Sequence, residues 1–145
     1  MQNFQYPVTL TPDKKDGGFV VTFKDLPEAI TQGEAVADAL RQAADCLEEA
    51  IANRLAMNAE IPEPGKASRG QHLVATPPLT AAKAALYLAL RELGVTRVKL
   101  AQRLGCDEKE VRRLLDPRHP SRLSRMQAAL AALGKELVIQ VRDAA

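Results

Sequence analysis

With 145 residues, the chain has room for one ordinary domain or two small ones, each with a modest core. Its composition is globular, 46% apolar and 26% charged. Only 3% of residues are aromatic and tryptophan is absent, which demands aliphatic cores and argues against a base-stacking platform for single strands. The net charge of +2 hides an asymmetry: residues 1–78 hold 7 Lys and Arg against 11 Asp and Glu, a net of −4, while residues 79–145 hold 13 against 7, a net of +6. A negative half suits a basic partner and a positive half suits a polyanion.

The opening Met1-Gln2-Asn3-Phe4-Gln5 has neither a basic start nor an apolar stretch, and no run of about 18 apolar residues occurs, so a cytoplasmic protein without a membrane span is expected. Cys46 and Cys106 form no CxxC pair, and His72 and His119 lie far apart. No disulfide, metal site or cofactor is therefore expected.

In chain order, Tyr6–Thr11 and Phe19–Phe23 are β-branched and aromatic runs joined by Asp13-Lys14-Lys15-Asp16-Gly17-Gly18, the pattern of a hairpin with a glycine-bearing loop. Ala29–Gln32 offers a third strand. Val36, Leu40, Ala43, Leu47, Ile51 and Leu55 then recur at helical spacing, predicting a helix from about Glu34 to Asn58. Opposite that apolar stripe stand Glu34, Asp38, Arg41, Asp45, Glu48 and Glu49, five carboxylates and one arginine on one face. Pro62–Gly70 breaks the helix and Gln71–Thr76 reads as a further strand, completing a β-β-β-α-β order that Pro77-Pro78 ends as a stiff spacer. The fold class is α+β: a small antiparallel sheet with one helix over residues 1–78, then a helical domain over 79–145.

In the second half Thr80 is the expected N-cap of a helix ended by Gly94, and Ser121 or Ser124 the expected cap of a last helix running to Leu133. Between them, Arg97 to Leu115 fits a DNA-reading helix-turn-helix. Ala101 sits where two helices approach closely, Gly105 where the turn needs positive φ, and Leu100, Leu104, Val111 and Leu114 form the seam. Asp107 is placed to cap the second helix. Lys109, Arg112 and Arg113 point away from Val111 and Leu114 and are candidates for base edges. Arg97, Lys99 and Gln102 before them, and Arg118, His119, Ser121 and Arg122 after them, are candidates for the phosphate backbone. Glu136–Arg142 reads as a closing β-strand that a lone helical domain cannot pair, so a homodimer built partly through its edge is expected.

Asp13, Asp16, Asp25 and Glu28 invite a metal-dependent nuclease, but they fall in hydrophilic turns without an accompanying nucleophile, so turn chemistry is the better reading and no enzyme activity is expected. The first module resembles the HicB family of bacterial antitoxins. The resemblance is carried by Tyr6-Pro7, Asp13 or Asp16 with Gly17-Gly18, Phe23-Lys24-Asp25-Leu26-Pro27, Thr31-Gln32-Gly33 and the alanines Ala35, Ala39 and Ala43. It covers roughly residues 4–76 and departs at Glu28-Ala29, where the family has a glycine and a small residue. A carboxy-terminal helix-turn-helix is also an arrangement of that family. The resemblance implies a partly degenerate ribonuclease-H-like module that blocks HicA, a small basic toxin that cleaves messenger RNA, and a second module that represses its own operon by dimeric operator binding. Glu34, Asp38, Asp45, Glu48 and Glu49 would then attract the toxin. Two alternatives stay open: a transcriptional regulator whose first module senses a small ligand, and a nuclease that retains cleavage.

Overall fold

The computed structural model describes residues 2–144. Its elements are β1 (Gln5–Pro12), β2 (Phe19–Thr22), β3 (Ile30–Gly33), α1 (Val36–Ala56), β4 (His72–Ala75), α2 (Pro78–Leu93), α3 (Arg97–Leu104), α4 (Glu108–Leu115) and α5 (Leu123–Ala131). The α+β class and the β-β-β-α-β order of the first half are as expected. The chain divides into two compact units that meet between Ala81 and Ala82, inside α2 and just beyond the Pro77-Pro78 pair. Among the described residues no helix is long and apolar enough to cross a membrane.

The first unit is an antiparallel sheet in the order β3-β2-β1-β4, so the last strand returns beside β1 at the far edge from β3. The strand period of two turns Tyr6, Val8 and Leu10 to the same side as Val74 and Val21, their partners being Tyr6↔Val74 and Leu10↔Val21. Against that side α1 lays Ala39, Ala43, Leu47, Ala50, Ile51 and Leu55, all buried at helical spacing. Each fully buried Leu or Ile contributes about 1.5–3 kcal/mol, and the three alanines let the helix lie close to the strands.

The two glycine motifs serve one crossing point. Gly18 has φ +73°, and a Cβ there would stand 2.5 Å from the Gly33 carbonyl oxygen; a Cβ on Gly33 would stand 2.4 Å from Ala39 Cα. Turn, strand edge and helix start therefore meet backbone to backbone, which only glycine permits. Asp13 shapes the same turn by accepting the Lys15 and Asp16 N–H groups at 3.0 and 3.2 Å.

The α1–β4 connection is anchored at three places. Tyr6 is wholly buried and its hydroxyl donates to the Pro62 carbonyl at 2.7 Å, Arg54 donates to the Glu60 carbonyl at 2.7 Å, and the Gly65 N–H donates to Asp25 at 2.9 Å. Burial, aided by the Asp25 charge, pushes the Tyr6 pKa up to about 12.

The second unit is helical, and several expectations for the second half of the chain are corrected. Thr80 is not an N-cap: α2 starts at Pro78, whose missing N–H costs nothing at the first helical position, and the Ala81 N–H already bonds the Pro77 carbonyl. Pro77-Pro78 is accordingly a helix start, not a free spacer. Neither Ser121 nor Ser124 caps α5: Arg122 holds the N-cap position without a side-chain bond, and the helix ends at Ala131. Residues 135–144 form no strand in the single chain, because a strand requires a ladder partner; Val138, Ile139 and Val141 stand exposed.

Candidate protein and nucleic-acid binding faces

Helix α3 opens with Thr96, whose hydroxyl accepts the Lys99 N–H at 3.1 Å, and closes at Gly105 with φ +67°. That left-handed residue turns the chain directly into α4, whose N-cap Asp107 accepts the Glu110 N–H at 2.9 Å. Leu100, Ala101, Val111 and Leu114 are buried and Leu104 half-buried, while α3 packs on both α4 and α5. Burying Val111 and Leu114 leaves the other side of an eight-residue helix to Lys109, Arg112 and Arg113, all exposed. Arg97, Lys99 and Gln102 on α3 and Arg118 and Arg122 after α4 are exposed as well. A cavity of about 470 Å³ beside α4 adds Arg125, whose guanidinium pairs with Glu110 at 2.5 Å, to Lys109, Arg113 and Arg122.

Two of the expected backbone contacts behave differently. Ser121 is half-buried: its Oγ accepts from Lys83 at 2.8 Å and lies 3.1 Å from His119 Nδ1, so both side chains are engaged within the unit. Lys83 was not singled out by sequence reasoning, although the signal existed, since it falls three and seven residues before Leu86 and Leu90 on the buried stripe of α2. Its Nζ is fully buried and also donates to the Arg113 carbonyl at 2.9 Å.

On α1 the acidic stripe is narrower than the spacing implied. Glu34 precedes the helix; its N–H donates to Asp38 at 2.9 Å, which ties that carboxylate to the helix start, and Arg41 lies 3.6 Å from it. Glu48 is half-buried and accepts from the Thr80 hydroxyl at 3.3 Å. Asp45 and Glu49 remain fully outward, opposite Ala43, Leu47 and Ala50.

Three of the carboxylates that suggested a nuclease are engaged in structural bonds. Asp13 organises the hairpin turn and Asp25 binds the Gly65 N–H. Glu28 takes both arms of the Arg54 guanidinium at 2.6 and 2.9 Å, a fork that holds its pKa below the usual carboxylate value. Among the described residues no group of three or more His, Cys, Asp and Glu is gathered to hold a metal ion.

Residues 5–85 match the family model described as HicB_like antitoxin of bacterial toxin-antitoxin system. The chain is 40% identical over 133 residues to Antitoxin HicB of Escherichia coli (strain K12), covering 92% of this chain and 96% of that protein. It is 36% identical to Antitoxin HicB 1 of Photorhabdus laumondii, over 97% of this chain and 89% of that one, and 32% identical to Antitoxin HicB of Pseudomonas fluorescens (strain Pf0-1), over 97% and 96%. With the family model matched over residues 5–85 and 32–40% identity to these antitoxins over nearly the full length of the chain, the chain belongs to the HicB-like antitoxin family.

Proposed function

We propose that this chain is the antitoxin of a toxin–antitoxin pair, acting in the cytoplasm by binding and not by catalysis. The first unit neutralises a small basic toxin that cleaves messenger RNA, and the second represses the operon encoding both. The observation that carries this reading is the segregation of charge onto two outward helix faces, acidic on α1 and basic on α4, in a chain whose halves have opposite net charge. An RNA-cleaving toxin must present positive charge to its substrate, and a negative face attracts and covers such a surface. Asp45 and Glu49 lead that approach, with Glu34, Asp38 and Glu48 adding to the field.

Helix α4 enters the major groove. Arg112 or Arg113 pairs with guanine, Lys109 meets a base edge or a phosphate, and Arg97, Lys99, Gln102, Arg118 and Arg122 fix position on the backbone. Two copies pair through Glu136–Arg142, setting two α4 helices about one helical turn of DNA apart.

The test is whether a short basic protein is encoded beside this chain and arrests growth when it is expressed, followed by co-expression of the two. Growth is restored by the chain, and lost again without it. In parallel, binding to a duplex from the DNA upstream of its reading frame weakens steeply with salt as phosphate contacts release counterions. Affinity independent of salt would remove the DNA role.

A further inference from the structure

Lys83 is not accounted for by the basic face of α4. It is completely buried, in an otherwise apolar stretch of α2, where an aliphatic side chain would fill space without the desolvation cost of an ammonium. Its two acceptors lie at one place. The Arg113 carbonyl belongs to the last turn of α4 and also accepts the N–H of the C-cap residue Asp116 at 3.2 Å, so Lys83 adds a cation to a carbonyl already bonded at the negative end of the helix dipole. Ser121 Oγ, the other acceptor, donates to the same carbonyl at 3.3 Å and stands in the loop that carries Arg118 and Arg122. One amine thus joins α2, the end of α4 and the loop before α5.

We propose that Lys83 is the positioning residue for DNA recognition: its ammonium fixes the last turn of α4 and the following loop, so that affinity for the operator depends on the state of this amine. The inference rests on the DNA-reading role proposed above, because Arg112 and Arg113 stand on the turn that Lys83 holds.

Burial brings the Lys83 pKa down to about 8, with Asp116 the charge that opposes the shift and His119 one hydroxyl away through Ser121. A neutral amine still has two N–H groups, but charge-assisted bonds are about twice as strong as neutral ones. Between pH 7 and 9 the protonated fraction falls from about nine-tenths to about one-tenth, so DNA affinity falls by up to about tenfold. Stability moves the other way. The folded state releases this proton at lower pH than the unfolded chain, so the second unit gains stability as pH rises from about 8 toward the ordinary lysine value of 10.5. A lysine serving stability alone would not divide the two quantities.

The experiment is the affinity of the full chain for the upstream duplex at pH 7, 8 and 9 and constant salt, in wild type and K83M. Amide hydrogen exchange of residues 112–122 is measured at pH 7 on the same samples without DNA. The expected result is a decline approaching tenfold in wild type, a profile in K83M that is weaker at pH 7 and flat, and faster exchange in K83M. Wild-type binding that is flat from pH 7 to 9 overturns this inference alone and needs no variant to fold. Absence of DNA binding by wild type at every pH overturns the DNA role and this inference with it.

Discussion

Replacing Gly33 by alanine should damage the first unit far more than its one added methyl group suggests. The new Cβ would lie 2.4 Å from Ala39 Cα and 2.5 Å from Ala39 N, both backbone atoms of α1, whereas ordinary contact begins at 3.4 Å. Strand β3 and helix α1 must therefore separate by about 1 Å, loosening the seam between the sheet and Ala39, Ala43 and Leu47. Overpacking costs about 1–3 kcal/mol when side chains can shift, and here two backbones must, so about 3 kcal/mol is expected. Gly17→Ala is the control: φ is +79° but the space is open, leaving only the left-handed penalty of about 1–2 kcal/mol. Urea unfolding followed by tyrosine fluorescence in a Y87F background reads Tyr6 alone, since the chain has two tyrosines and no tryptophan. With a slope of about 1–3 kcal/mol per molar urea, Gly33→Ala lowers the midpoint by about 1 M or more. A midpoint no lower than that of Gly17→Ala would refute the backbone crossing.

The Arg54 fork depresses the Glu28 pKa, so its contribution to the first unit is present above the ordinary value of 4.5 and lost as pH falls through the lower folded value; the stability difference between wild type and E28Q should shrink as pH falls below 4.5 in urea titrations. Gly105→Ala has open space but φ +67°, so it should cost the second unit about 1 kcal/mol and leave Tyr6 fluorescence unfolding of the first unit unchanged. Truncation after Lys135 removes exposed Val138, Ile139 and Val141, and sedimentation velocity should show dimer giving way to monomer, with unchanged sedimentation counting against strand pairing.

Much of this architecture was readable from local chemistry. The hairpin, the alanine-lined helix, and the Gly105 turn capped by Asp107 each rest on residues whose conformational preference and tertiary role agree. What escaped reading depends on contacts distant in sequence. Thr80 has the side chain of a cap, but the two prolines start the helix earlier and free its hydroxyl for Glu48, 32 residues away. Ser121 resembles a cap until Lys83, 38 residues before it, takes its oxygen. The proline-rich stretch after α1 reads as loose connection, yet Tyr6, Asp25 and Arg54 pin it from three directions. Helical spacing likewise located the acidic stripe but could not show that Asp38 binds the Glu34 amide, leaving Asp45 and Glu49 as the outward pair.

Independence of the two charged faces is tested most directly by growth rescue of toxin-expressing cells with D45K/E49K, set against the same protein's affinity for the upstream duplex. The expected result is loss of rescue with DNA affinity unchanged within about twofold, since Asp45 and Glu49 belong to the first unit and share no bonded partner with α4 of the second. Rescue equal to wild type would contradict the acidic α1 face as the toxin-attracting surface.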